Sequence, residues 1–418
     1  MSDGTPFWKK EIHLGRKPKA APPAPAAEAA EAADGSESES TPEAKPARAK
    51  RPSFSAKQIS SPAVPKRAAA ADRIVGLKIG GSQIAAACIA NNGTAKLERI
   101  ARVPLASGIV SGGELRDMEA LADALRTFFD ENQMPRRGVR LGVASSRIGV
   151  RSFEIPAIDN EEQFLNAVRF RAQEALPIPL DEAVLDYRVL GEREAEGGQR
   201  LRRVLLVVAH RELVERYVEA CRLAGVTLSG IDLEAFALLR ALAAPADRDE
   251  SALVAVSIGH DRTTLAVSDG RVCEFSRVLE WGGAELNVGL ADALSMDESE
   301  VEALKRSLSL DGGAAPEGLT SEQLNAALDV LHRGIESLVR ELVSSLTYYQ
   351  SQPGSHAIGE IVLTGGGARL AGLPEELSRQ IGVPVRLGNP LGRLEVTQPL
   401  DDTEIDSLAI AVGLGIED

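Results

Sequence analysis

Glycine turns that follow apolar strands recur three times in this 418-residue chain, and the chemistry such turns serve is phosphate recognition. The first reads Ile74-Val75-Gly76-Leu77-Lys78-Ile79-Gly80-Gly81-Ser82 and runs on into Gln83-Ile84-Ala85-Ala86-Ala87-Cys88-Ile89. About 180 residues later, Val254-Ala255-Val256-Ser257-Ile258-Gly259-His260 runs into Asp261-Arg262-Thr263-Thr264-Leu265-Ala266-Val267. The third is Ile361-Val362-Leu363-Thr364-Gly365-Gly366-Gly367. Without a Cβ, glycine lets backbone N–H groups come close to an anion. Magnesium-assisted phosphoryl transfer would also need an aspartate where each of the first two strands ends, because the hard cation takes oxygen ligands. Those places hold Lys78 and Ser257. The pattern keeps the phosphate cradle and loses the metal grips. An ammonium at 78 has two readings. It replaces the metal by pairing with a phosphate, or it is a surface-facing strand end in an inert cleft.

Other chemistries find little support. The five histidines (13, 210, 260, 332 and 356) show no metal-ligand spacing, so no metal site is expected. Cys88, Cys221 and Cys273 lie in apolar or amphipathic stretches without CxxC spacing, which reads as small buried hydrophobes in a reducing cytosol. A net charge of −14 argues against nucleic acid as a partner, since no basic excess exists to displace its counterions. No apolar run is long enough for a membrane helix and no signal-peptide core is present, so a cytoplasmic protein is expected.

The elements that must position the turns can be read from periodicity. Residues 1–72 are rich in Ala, Pro and charge, a composition that buries too little to offset chain entropy, and are expected to be a disordered arm. Within it, Phe7-Trp8 beside lysines forms an island suited to a partner or an anionic membrane surface. After the first hairpin, 115–131 has a helical period and 139–144 reads as a buried strand. A β-α-β-β-α block over 148–226 reads as a small α+β insertion, with a helix from Asn160 to Leu176. A strand at 226–232 and a helix at 234–242 lead to a polar hinge at 245–251. Beyond the second hairpin come three helices (about 284–294, 297–308 and 321–350), the third turn, a helix at 373–381, a strand at 383–387 and a small-residue helix at 406–415.

These three turns, in this order, resemble the actin-like ATPase superfamily, which includes actin, the Hsp70 ATPase domain and FtsA. Four stretches are similar to the type IV pilus assembly PilM family: Phe153-Glu154-Ile155-Pro156 through Leu176-Pro177-Ile178-Pro179, Leu185-Asp186-Tyr187-Arg188-Val189-Leu190, Ile231-Asp232-Leu233-Glu234-Ala235-Phe236-Ala237, and Leu363-Thr364-Gly365-Gly366-Gly367-Ala368-Arg369-Leu370. The resemblance covers roughly 73–418 and implies an α/β actin-like fold, with two ribonuclease-H-like halves around a cleft and an SHS2-like insertion in the first. It assigns 73–147 with 227–246 to one actin-like subdomain and 148–226 to the insertion. It assigns 247–283 with 356–418 to the other actin-like subdomain and 284–355 to a helical one.

What the resemblance implies for the site is specific. Gly80, Gly81 and Ser82 take the first phosphate loop, and Gly259, Thr263 and Thr264 the second. Gly365, Gly366 and Gly367 pass under the adenosine, Glu302 and Lys305 hold the nucleoside, and Glu234 is the carboxylate associated with the attacking water. The family's strand-end aspartates are Lys78 and Ser257 here, and its hairpin lysine is Ala85. ATP is thus expected to bind weakly or not at all, with little role for magnesium and no efficient hydrolysis. The implied role is an adaptor at the inner face of the cytoplasmic membrane, within the pilus platform and its inner-membrane and motor components. It would receive the cytoplasmic N-terminal segment of a PilN-like single-span protein in a groove between the first subdomain and the insertion, lying between a sheet and the 160–176 helix. Two alternatives stay open: an active ATPase with metal ligands relocated to Asp261 or Glu234, and an FtsA-like division scaffold.

Overall fold

Each of the first two glycine turns joins the inner two strands of a separate sheet, and both sheets are built alike. The computed structural model describes residues 73–418, apart from 176–178, 196, 243–250, 271, 313–315, 317, 353, 397–401 and 418. The arm at 1–72, with Phe7 and Trp8, and nearly all of the hinge at 245–251 therefore lie outside the described residues.

In the first half, β1 (Arg73–Ile79) turns back as β2 (Gln83–Ala90) and again as β3 (Lys96–Pro104). A two-strand flap, β4 (Val110–Ser111) and β5 (Glu114–Leu115), precedes α1 (Met118–Glu131) and β6 (Arg137–Val143). The insertion comprises β7 (Ile148–Pro156), α2 (Glu161–Ala175), β8 (Ala183–Glu194), β9 (Arg200–His210) and α3 (Arg211–Leu223). The chain returns through β10 (Thr227–Leu233) and α4 (Glu234–Leu242). The second half repeats the hairpin as β11 (Ser251–Ile258), β12 (Thr263–Ser268) and β13 (Cys273–Leu279). Helices α5 (Gly283–Leu294), α6 (Glu298–Lys305) and α7 (Ser321–Gln350) follow, then β14 (Ala357–Thr364), α8 (Leu373–Ile381), β15 (Val385–Leu387), β16 (Glu395–Val396) and α9 (Ala409–Gly415).

The first sheet runs β10-β6-β1-β2-β3-β16 and the second β13-β12-β11-β14-β15. In both, three antiparallel strands are continued by two strands parallel to the first: β1 pairs β2 antiparallel and β6 parallel, and β11 pairs β12 antiparallel and β14 parallel. Period-2 alternation decides what each face covers. From β2, Ile84, Ala86 and Cys88 enter a core with α1 and α3, whereas Ala85, Ala87 and Ile89 face α4 and α9. Leu253, Ala255 and Ala266 of the second sheet join that latter cluster, so α4 and α9 form the apolar layer between the two sheets. Small residues permit this closeness: a Cβ on Gly413 would overlap the Ala237 carbonyl oxygen, and one on Gly76 would overlap that of Ala411.

The strands β3 and β13 are not anticipated by periodicity. The run Lys-Leu-Glu-Arg-Ile-Ala-Arg-Val-Pro is charged because much of β3 is exposed. Its membership is set by pairing with β2, a long-range property. The last helix is shorter than 406–415, because 402–408 forms a 3-10 segment ahead of α9. In the insertion, α2 covers one face of the β7-β9-β8 sheet with Phe164, Val168 and Ala172, and α3 gives Leu213, Tyr217 and Cys221 to the first half's core.

Candidate functional site

The two hairpin turns close with the same hydrogen bond: Gly80 N–H donates to the Gln83 carbonyl at 2.8 Å, and Gly259 N–H to the Arg262 carbonyl at 2.9 Å. Superposing the turns matches Lys78 to Ser257, Ser82 to Asp261 and Gln83 to Arg262. Among the described residues, no protein acceptor takes the N–H of Gly81, Ser82 or His260. The third turn passes over the end of β11, where Gly365 sits at φ +88° and a Cβ would strike the Ile258 carbonyl. Only a glycine fits there.

Between the halves these turns line a cleft of about 550 Å³. Most of the residues singled out by sequence meet in it: Lys78, Gly80, Gly81, Ser82, Ser257, Gly259, Thr264, Glu234, Asp261, Glu302, Lys305, Gly366 and Gly367. Thr263 and Gly365 stand outside its lining. Thr263 is wholly buried and its hydroxyl donates to the Trp281 carbonyl at 2.8 Å, while Gly365 N–H donates to the Asp406 carbonyl. Both hold the scaffold. Ala85 is opposite Lys78 in register and fully buried, so no lysine enters the cleft from that strand position.

The cleft floor is a buried set of charges. Lys78 is 8% exposed, and among the described residues nothing accepts a hydrogen bond from its ammonium. Burial pulls its pKa down, Glu234 opposes that, and Arg262 adds to it. Arg262 reaches across the cleft. One of its Nη groups donates to the Ile79 carbonyl at 3.2 Å and to Glu234 Oε1 at 3.3 Å, and the other lies 3.3 Å from Asp261 Oδ1. Burial would lower the Arg262 pKa, but the Glu234 and Asp261 carboxylates outweigh it and raise the value. Asp261 accepts the Gly112 N–H at 2.7 Å and lies against Gly81, where a Cβ would stand 2.7 Å from its carboxylate.

Sequence reading missed Arg262 as a site residue. The available signal was an arginine opening an otherwise apolar strand directly after a phosphate-type turn. Arg102, Arg306 and Arg369, which also line the cleft, were missed too.

Across the cleft, Glu302 and Lys305 occupy one turn of α6 and are already engaged. Lys305 Nζ donates to Asn287 Oδ1 at 2.6 Å, the Gly283 carbonyl at 3.0 Å and Glu302 Oε2 at 3.2 Å. Glu302 also accepts from the Asn287 amide at 2.6 Å. Burial alone would raise the Glu302 carboxyl, and Asn287 and Lys305 together hold it below its usual range. With three acceptors, Lys305 has no proton left, so a nucleoside must displace one of them.

Magnesium does not fit the residues present. Glu234 and Asp261, the two carboxylates near the turns, are each within 3.3 Å of the Arg262 guanidinium, and Lys78 stands where a ligand would be needed. Among the described residues no group of three or more His, Cys, Asp or Glu side chains could hold a metal ion.

Two like-built halves around a phosphate-type cleft define the actin-like ATPase fold. The family model for the type IV pilus assembly protein PilM matches residues 76–418, and the chain belongs to that family. In structure it is similar to a chain of a PilM–PilN type IV pilus biogenesis complex, with a TM-score of 0.70, 24% identity, and coverage of 82% of this chain and 97% of that one. It is also similar to the cell division protein FtsA of Escherichia coli K12, 25% identical over 381 residues, covering 82% of this chain and 89% of that protein. The FtsA of Shigella flexneri is 25% identical over the same length.

Proposed function

We propose that this chain is an adaptor of the type IV pilus assembly platform that holds a membrane protein's cytoplasmic segment and does not turn nucleotide over. The observation that carries the reading is the cleft floor, where Lys78 and Ser257 end the strands in place of metal-holding carboxylates and Arg262 pairs with Glu234, inside a fold of the PilM family. Phosphoryl transfer in such a cleft rests on positioning and on a cation that neutralises developing charge. Here the positive charge is fixed and already shared with Glu234, so that carboxylate is not free to orient a water. The same pairing argues against relocated metal ligands at Asp261 or Glu234.

A groove of about 460 Å³ offers the partner site. It runs between the insertion, α4 and the second half, lined by Tyr187 and Leu190 of β8, Leu205 of β9, Phe236 and Leu239 of α4, and Val272 and Cys273. Phe164, Val168 and Ala172 of α2 pack on the insertion's own sheet, and the groove follows β8 and α4. β8 is an edge strand, and an extended peptide can add to such an edge through main-chain hydrogen bonds while alternate side chains enter the apolar groove. The fitting partner is the short cytoplasmic N-terminal segment of a PilN-like protein with one membrane span. That partner would place the chain at the inner face of the cytoplasmic membrane, with the motor and other inner-membrane components within reach. No helix among the described residues is long and apolar enough to cross a membrane. All of α9 is buried, so it presents no face to a lipid surface in the manner of a division scaffold.

The test is fluorescence anisotropy with a labelled peptide of that cytoplasmic segment, alongside phosphate release from Mg-ATP. Binding is expected to weaken at least tenfold in Phe236→Asp with the fold intact, and phosphate release to stay at background. Unchanged peptide affinity in that variant, or turnover abolished by Glu234→Ala, would overturn the reading.

A further inference from the structure

We propose that the cleft takes a polyphosphate anion in its free form, without magnesium, and that Lys78 and Arg262 supply the positive charge a metal would bring. The inference concerns the cleft alone and stands or falls separately from the peptide groove.

Three observations carry it. The first is the state of Lys78. It is more than nine-tenths buried, lines the cleft at the end of β1, and has no protein acceptor among the described residues. A buried ammonium without a hydrogen-bond partner is costly, and a strong oxygen acceptor in the cleft removes that cost.

The second observation is the sign of the lining. Lys78, Arg102, Arg262, Lys305, Arg306 and Arg369 face it, against the four carboxylates Glu234, Asp261, Glu302 and Asp406. A net positive concavity in a chain of net charge −14 is a local arrangement and not a consequence of composition. Arg102, Arg306 and Arg369 lie close enough that burial and the other two arginines lower the Arg102 pKa.

The third is the fate of the carboxylates. A magnesium ion arriving with its nucleotide would meet Lys78 and Arg262 at short range, and would have to pull Glu234 or Asp261 away from the guanidinium to gain an oxygen ligand. The free polyphosphate meets the same cations as attraction. Asp261, anchored by Gly112 N–H, fills the space over Gly81, which directs an incoming phosphate toward Lys78 and the N–H groups of Ser82 and His260. Metal dependence is thereby inverted relative to a magnesium nucleotide site: the cation competes with the protein for the anion.

Isothermal titration of the full chain with ATP and with inorganic triphosphate, each in EDTA and in excess magnesium, tests this. Both anions are expected to bind in EDTA and to lose at least fivefold in affinity on adding magnesium, with the difference between them measuring the nucleoside's share. Lys78→Met is expected to lose at least tenfold in EDTA while keeping its circular dichroism and cooperative melt, and Lys78→Asp to bind ATP only with magnesium. ATP binding that is absent in EDTA, or equal or tighter with magnesium, overturns the inference, and that wild-type comparison decides even if a variant fails to fold. Peptide anisotropy on the same preparation separates the two proposals, because peptide binding retained without anion binding sinks only this one.

Discussion

Arg262 shows how one side chain can close a site. The residue is 5% exposed, and its guanidinium ties the second turn to Glu234 and the Ile79 carbonyl of the first half. Removing one member of such a buried pair leaves the other charge uncompensated, at a cost of ~3–5 kcal/mol. Arg262→Ala is therefore expected to lose stability on that scale in urea unfolding, whereas Arg262→Met combined with Glu234→Leu should recover most of it, because neither charge is then stranded. A loss below ~1 kcal/mol in the single variant would show that the pair contributes little.

Lys78 gives the opposite sign. Its folded pKa is below the ordinary 10.5, chiefly through burial. In the window between the folded value and 10.5 the unfolded chain holds a proton that the fold does not, so stability rises with pH there. Below that window the full burial cost is present. Lys78→Met is accordingly expected to be more stable than the parent by ~1–2 kcal/mol at low and neutral pH, on the scale of replacing buried charge by a hydrophobe of similar volume. The gap should narrow as pH approaches 10.5. A gap that widens with pH would contradict the assigned environment.

At the scale of elements, the cleft depends on how closely α9 and α4 pass one another between the sheets. Gly413 has no room for a methyl against the Ala237 carbonyl, and Arg240 of α4 donates to the Gly413 carbonyl at 2.8 Å. Gly413→Ala must push the helices apart, with an expected loss of ~1–3 kcal/mol from overpacking. Because both halves rest on these helices, faster amide exchange should appear in β1 and β11 together. Exchange confined to the end of α9 would mean local fraying only.

A second tie joins the insertion to the second half. Arg203 of β9 donates to Glu274 Oε1 of β13 at 2.9 Å, and Glu274 Oε2 accepts the Tyr349 hydroxyl at 2.5 Å. Arg203 is partly exposed, and without it the buried Glu274 keeps the Tyr349 hydroxyl, so its own loss should be the smaller of the two. Glu274→Ala should cost more, since the Tyr349 hydroxyl loses its buried acceptor. Denaturation of both variants ranks them, and equal losses would contradict the assignment.

For the whole molecule, α4 links the cleft to the groove proposed for the peptide. Glu234 begins α4 at the cleft floor, while Phe236 and Leu239 on the same helix line the groove. A ligand that shifts one half against the other must move α4 or deform it, which is the kind of element through which two sites can bias a common equilibrium. Peptide affinity measured with and without ATP in EDTA is expected to differ at least twofold, and to become indifferent to ATP in Lys78→Met.

The glycine turns, the strands entering them and the Glu302–Lys305 pair were legible in the chain, because turn chemistry and helical or strand period are local properties written in adjacent residues. So was the loss of the strand-end aspartates, which is a matter of residue identity at one position. The strands β3 and β13 were not, since their charged or mixed runs become strands only by pairing with partners folded elsewhere. Neither was Arg262, whose importance lies in distances to Glu234 and Ile79 across the two halves. Local sequence set which residue type is missing from the strand ends of this cleft. Only the tertiary structure decided what took its place, because buried charges acquire their roles from neighbours that the chain order does not reveal.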